Sequence, residues 1–219
     1  MTQTNANVST RRATTSDAGA LVGVLAEAFM GGPVADWLIP DQSDRRLVYY
    51  RYFELVLKDG LEHGHVDTTA DRSAVAIWYP RSNPPEPSSG THQEALERAT
   101  GSYAPKFALL EEMFEANHPR EAHHYLAYVA VDPKQQGNGV GTKLLGGYHR
   151  QLDSLSMPAY LEATNTRNRK LYQRLGYLPG PSMYLPTAGP QIWRMWRAPS
   201  GFSVPDAFFA PPLPTRQPQ

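Results

Sequence analysis

Apolar and polar positions along the chain change period several times, and each change marks an element. Apolar residues recur at helical spacing over 18–29, with Ser16 placed to cap the start and Gly31-Gly32-Pro33 ending the run. A second helix is predicted over 43–62, with an aromatic centre of Tyr49, Tyr50, Tyr52 and Phe53. A short strand over 8–14 precedes these helices, and β-type blocks at 65–69 and 73–79 follow them, joined by a turn at Asp71-Arg72. Residues 81–90, with three prolines and several serines, read as a surface loop. Helical pattern resumes over 95–99 and again through Phe107, Leu110, Met113 and Phe114.

The second half alternates more regularly. Strand 125–131 leads to helix 140–155, strand 159–163 to helix 169–175, and two last strands fall at 182–185 and 192–197. This order predicts one α/β domain over residues 10–200, built as a layered sheet. A polar, disordered tail is expected over 1–9 and a proline-rich tail over 201–219, in which Phe208-Phe209 is the cluster able to dock. No internal repeat is visible.

Composition narrows the function. The 219 residues carry 21 basic and 21 acidic side chains, so there is no electrostatic footprint for nucleic acid or an anionic membrane. There is no cysteine, which excludes disulfides, thiolate metal sites and a cysteine acyl-enzyme. The first ten residues lack an apolar signal core, and no apolar run approaches the ~20 residues of a membrane span. A cytoplasmic protein, without membrane or nucleic-acid partners, is expected.

The most informative stretch is 125–143, Tyr-Leu-Ala-Tyr-Val-Ala-Val-Asp-Pro-Lys-Gln-Gln-Gly-Asn-Gly-Val-Gly-Thr-Lys. A β-type run ends at Val131, a turn follows at Asp132-Pro133, and Gly137, Gly139 and Gly141 open a helix. Glycines let backbone approach a ligand, and the first helical N–H groups point outward with partial positive charge. Such a junction suits a phosphate or pyrophosphate. A nucleoside-triphosphate loop would need Gly-Lys-Ser/Thr, whereas Gly141 is followed by Thr142 and then Lys143. A dinucleotide fingerprint would need Gly-x-Gly-x-x-Gly directly after the strand, whereas the spacing is Gly-x-Gly-x-Gly and Pro133 intervenes. A plain strand-to-helix turn would not call for three glycines at period two.

The pattern Val131-x-Pro133-x-x-Gln136-x-x-Gly139-x-Gly141 resembles the acyl-CoA pyrophosphate motif of the GNAT superfamily of N-acyltransferases. A second block, from Leu161-Glu162 through Asn165 and Asn168 to Leu171-Tyr172-x-x-Leu175-Gly176-Tyr177, resembles that superfamily's last helix and the strand after it. Within the superfamily, residues from about Arg12 to Ala198 resemble puromycin N-acetyltransferase and its relatives. The likeness includes Arg12-Ala13-Thr14, residues 74–78, His118-Pro119-Arg120, Arg167-Asn168 and Gly189-Pro190…Trp193-Arg194-Met195. The resemblance implies a single mixed central sheet with a splayed pair of parallel strands and helices on both faces. It also implies acetyl-CoA as acyl donor and a primary amine on a small molecule, puromycin-like or another secondary metabolite, as acceptor. Protein or peptide N-acetylation, and a non-catalytic acyl-CoA sensor, are the alternatives. Monomer and homodimer both remain open.

The resemblance also assigns roles. Backbone of Val129, Ala130 and Val131 would meet the pantetheine and thioester, while Gln136, Gly137, Asn138, Gly139, Val140, Gly141 and Thr142 would hold the pyrophosphate. Asn165 and Asn168 are both candidates for cofactor contact, and either could instead be a helix cap. Tyr172 is the candidate general acid, since a phenol is protonated at neutral pH. Glu162 is the general-base candidate: strand alternation puts it on one face with Tyr160 and Thr164, and a carboxylate there is costly to bury without a partner. Its rival role is a structural pair with Arg167 or Arg194. Phe29, Trp37, Tyr49, Tyr50 and Phe53 are expected to wall the acceptor pocket. His118, His123 and His124 read as ordinary strand-edge histidines, because adjacent strand residues cannot clamp one metal ion. No metal site is expected.

Overall fold

The computed structural model describes residues 8–82 and 91–211. Residues 1–7 of the tail expected over 1–9, most of the loop over 81–90 and the last eight residues lie outside the described residues. Seven strands form one mixed sheet in the order β1-β2-β3-β4-β5-β7-β6. They are β1 (Thr10–Arg12), β2 (His65–Thr69), β3 (Ala74–Arg81), β4 (His123–Val131), β5 (Ala159–Ala163), β6 (Leu178–Tyr184) and β7 (Gln191–Arg197). β4 and β5 are parallel and every other neighbouring pair is antiparallel.

Helices cover both faces. On one lie α1 (Ala18–Phe29), the short α2 (Pro33–Leu38), α3 (Gln42–His63), α4 (Thr91–Thr100) and α5 (Ala104–Ala116). Leu21, Leu25, Phe53 and Leu57 pack there against Val75 and Ile77 of β3. The other face is covered by α6 (Val140–Ser154) and α7 (Thr166–Arg174), whose Leu144, Leu145 and Tyr172 meet Trp78, Leu161 and Met195.

Most predicted elements appear, with differences that have local causes. Ser16 does not cap α1. Instead a 3₁₀ turn over Thr15–Asp17 precedes the helix, and the Asp17 carboxylate accepts from the Thr14 backbone N–H at 2.9 Å and from Arg11. Pro33 does more than break α1, because its fixed φ starts α2 at the first helical position. β6 begins four residues before the predicted 182, since the turn after α7 feeds straight into pairing with β7. Beyond residue 200 the chain returns to the sheet: Phe208 is buried against Trp196 and Tyr160.

Candidate active site

Two irregularities of β4 make the site. The first is its parting from β5. The strands pair at His124↔Ala159 and Tyr125↔Tyr160, and no pairing continues beyond. Backbone from Leu126 to Val131 therefore has no strand partner on that side, and a gap opens toward the end of the sheet where α6 begins.

The second is a bulge. Trp78 faces Leu126 and Ile77 faces Tyr128, so Ala127 is an extra residue in β4. Strict alternation would put Tyr125 and Tyr128 on opposite faces. The insertion brings both to the α3 side, where Tyr128 packs on Phe29 and Phe53 and hydrogen-bonds the Tyr52 hydroxyl at 2.6 Å. Leu126, before the bulge, stays with α6.

One cavity of about 760 Å³ runs through both features. On the gap side it is lined by Val129, Ala130, Val131, Gln136, Gly137, Gly139, Val140, Gly141 and Thr142. Gly137 and Gly139 have φ of +87° and +78°, and nothing lies within 4 Å of where a Cβ would stand on either. That open cradle at the start of a four-turn helix fits a pyrophosphate, with unpaired N–H groups and the helix dipole aimed at it. Asn138 is exposed and lies off the cavity wall, because the alternate loop position turns it to solvent. Asn165 is the cap of α7, its side chain accepting from the Asn168 N–H at 2.8 Å, and both asparagines line the cavity.

Glu162 lies where the gap meets the α3 side, with its side chain only 2% exposed. Burial pushes its carboxyl up to about 7, partly offset by the Tyr160 and Tyr125 hydroxyls and by Arg81. Its Oε1 has no hydrogen-bond partner. Arg194 stands opposite in β7 but does not pair with it. That guanidinium instead donates to the carbonyls of Pro181, Asn117, Phe208 and Ala210. Arg167 makes no ion pair with Glu162 either. Tyr172 also lines the cavity; burial raises its phenol well above the usual range, so it stays protonated. Its ring packs on Tyr177 at 5.8 Å.

Comparison with known proteins follows this geometry. Residues 103–177 match the model of the acetyltransferase (GNAT) family. An uncharacterized N-acetyltransferase of Schizosaccharomyces pombe is 24% identical over 190 residues, covering 80% of this chain and 76% of the relative. A Corynebacterium glutamicum crystal structure, described as histone acetyltransferase HPA2 and related acetyltransferase, superposes with a TM-score of 0.68 at 29% identity. It covers 90% of this chain and 99% of its own. Arylalkylamine N-acetyltransferase 2 from Aedes aegypti shares the fold, with a TM-score of 0.61 at 14% identity, over 88% and 99% of the two chains. The chain has the fold of GNAT acetyltransferases, and the match over residues 103–177 supports an acetyltransferase activity.

The far end of the cavity is aromatic. Phe29, Tyr49 and Phe53 line it. Trp37 does not: its indole donates to the Pro186 carbonyl at 3.0 Å, tying α2 to the loop before β7. Tyr50 does not either. One step along α3 from Tyr49 turns it by about 100°, and it lies over α1 with its hydroxyl 3.5 Å from where a Gly23 Cβ would stand. The wall is completed by residues that the sequence did not single out, Tyr52, Phe107, Glu111, Phe114, Tyr125 and Tyr128. Helical spacing pointed to Tyr52, which shares a face with Tyr49 and Phe53, and Phe107 and Phe114 were visible as periodic positions of α5. Nothing local marked Tyr125 with Tyr128, because the bulge that unites them shows only in the pairing.

The histidines are less ordinary than they read. His123 and His124 do point to opposite faces: His124 Nδ1 meets the Tyr148 hydroxyl at 2.9 Å under α6. His123, however, is buried and its Nε2 lies 2.9 Å from Nε2 of His118. Among the described residues no group of three His, Cys, Asp or Glu side chains could hold a metal ion. No helix among them is long and apolar enough to cross a membrane.

Proposed function

We propose that the chain moves an acetyl group from acetyl-CoA directly to a primary amine on a small molecule with an apolar, partly aromatic body. The observation that carries this reading is the position of Glu162: a lone buried carboxylate at the junction of the glycine-lined gap and the aromatic chamber. Acetyl-CoA, when bound, supplies an activated thioester. Gly137 to Thr142 would hold its pyrophosphate, and the unpaired backbone N–H groups of 129–131 would meet the pantetheine and thioester carbonyl. Donors already fixed by a sheet cost no reorganisation when negative charge develops.

Glu162 takes the proton of the attacking amine, directly or through one water. A carboxyl poised near neutrality suits that task, because it is ionised when needed and still basic enough to accept. Tyr172 returns a proton to the departing sulfur, its phenol held neutral by burial. No cysteine is available to carry the acetyl group, which favours direct transfer over an acyl-enzyme.

The acceptor class follows from the walls. Rings of Phe29, Tyr49, Tyr52, Phe53, Phe107 and Tyr128 suit a flat apolar body. Glu111 is the carboxylate among them, held by His92 at 2.9 Å. One such group suits a monocationic amine better than a polycation. A puromycin-like or other secondary-metabolite amine matches these walls, and acetylating it would serve detoxification or resistance. Acetyl-CoA-dependent thiol release should therefore be fastest with aromatic-bodied primary amines, puromycin and arylalkylamines among them, each product confirmed by mass. Turnover confined to peptide or protein amines would overturn the acceptor class.

A further inference from the structure

The histidines beside Glu162 form a chain whose proton positions can be worked out from one carbonyl. His123 Nδ1 lies 2.6 Å from the Glu121 backbone oxygen. A carbonyl only accepts, so Nδ1 carries the proton. Burial, Arg81 and the neighbouring histidine all disfavour a charged His123, which leaves its Nε2 bare. The contact between the two rings, 2.9 Å from Nε2 to Nε2, then requires His118 to donate from Nε2. His118 is held neutral by burial, by His123 and by Arg81, so its Nδ1 is bare in turn. That bare nitrogen faces Glu162 Oε1 at 4.0 Å, and Oε1 is the carboxylate atom without a partner.

Two acceptors therefore confront one another across a buried contact as long as Glu162 is ionised. Once the carboxyl gains a proton, its O–H can donate to Nδ1 with about 1 Å of closure. From this arrangement we propose that His118, its tautomer fixed through His123 by the Glu121 carbonyl, is a positioning residue that receives the Glu162 hydroxyl and holds the base in its protonated form. The proposal rests on Glu162 acting as the base. The imidazole does not take the proton over, because an imidazolium is disfavoured in this dry contact. It favours the product of proton abstraction and orients the carboxyl toward the amine.

The other ionisable groups around the carboxyl do not substitute for this acceptor. The Tyr125 and Tyr160 hydroxyls act on Glu162 as donors that favour its ionised form rather than receiving its proton, and the Tyr128 hydroxyl is engaged by Tyr52. Arg81 from β3 is turned to Glu115 of α5 at 3.4 Å, and Arg194 from β7 is occupied by backbone carbonyls. The chain also depends on Asn117-His118-Pro119. Asn117 caps α5 with its amide on the Met113 carbonyl at 2.9 Å, and the residue before a proline is kept out of the helix, so His118 leaves α5 aimed back at the sheet.

The test reads protons without needing turnover. Nitrogen NMR of the histidine-labelled full-length protein should show the proton on Nε2 of His118 and on Nδ1 of His123. Carbon NMR of labelled glutamate, assigned with Glu162→Gln, should place the Glu162 midpoint near 7. His123→Phe frees His118 to carry its proton on Nδ1 and donate to the carboxylate, and His118→Gln offers an amide donor there. Both variants should lower the Glu162 midpoint by about one pH unit, a tenfold change in its acid constant, with acetyl-CoA affinity unchanged. A proton on His118 Nδ1 in the wild type, or a midpoint that stays fixed in either folded variant, would overturn the proposal. Full activity of Glu162→Gln would instead sink the base reading, leaving the proton positions as found.

Discussion

The two ends of the cavity are built in different ways. The gap end is made of main chain: a strand that loses its partner, three glycines and the first turn of α6. The aromatic end is made of side chains drawn from α1, α3, α5 and β4. Main-chain recognition depends on φ and on the absence of Cβ atoms, so one residue can spoil it while most side chains nearby can vary. A wall of rings has no such single point, and its specificity can drift by exchanging one ring at a time. Glu162 and Tyr172 stand between the two and answer to both.

The contrast can be broken most severely at the junction. Tyr172→Phe removes the proton donor and should lower kcat by about 100-fold or more, within the range for general acid–base catalysis. Acetyl-CoA affinity by calorimetry should be unchanged. Unchanged kcat would show that the thiolate leaves without help from this phenol.

Next comes the gap. Gly139→Val puts a β-branched residue at φ +78°, where L-residues pay roughly 1–2 kcal/mol and a side chain enters the cradle. The KM for acetyl-CoA should rise about tenfold, with the KM for amine little changed. An equal rise in both would merge the two ends that the structure separates.

A smaller effect is expected at the aromatic end. Tyr52→Phe cuts the hydroxyl from Tyr128 and should raise the amine KM by a few-fold, leaving acetyl-CoA untouched. Tyr50→Ala, outside the cavity, should leave both within about twofold.

Glu162 also links catalysis to stability. Its folded value, about 7, lies above the ordinary 4.5, so the folded state binds more protons between those values. Stability from this group is thus full below about 4.5 and declines as pH rises through 7, by roughly 3 kcal/mol in all. Glu162→Gln should melt above the wild type at pH 8 by calorimetry, and the gap should close near pH 5. A variant that melts lower at pH 8 would mean the carboxylate is better solvated than its burial indicates.

Much of the gap end was legible because its signals are local. Gly137, Gly139 and Gly141 are adjacent in sequence, β5 runs over the predicted 159–163, and alternation placed Glu162 with Tyr160. The aromatic end was legible only in part, since helical spacing gives a face but not the depth of its neighbour. Tyr49 and Phe53 share that face, whereas Tyr50 and Trp37 were grouped with them by the resemblance, which places the helices but not each side chain. The bulge at Ala127 and the contact between His118 and His123 depend on register and on the path of a loop, neither of which leaves a period in the sequence.

The central claim is that Glu162 removes a proton from the amine. The most direct measurement compares wild type with Glu162→Gln on two aromatic-bodied acceptors at pH 7.5, one an alkylamine that is mostly protonated there, the other an arylamine that is already neutral. A base at this position predicts that kcat/KM falls about 100-fold with the alkylamine and only a few-fold with the arylamine. Equal losses with both acceptors would contradict it and make Glu162 a structural carboxylate.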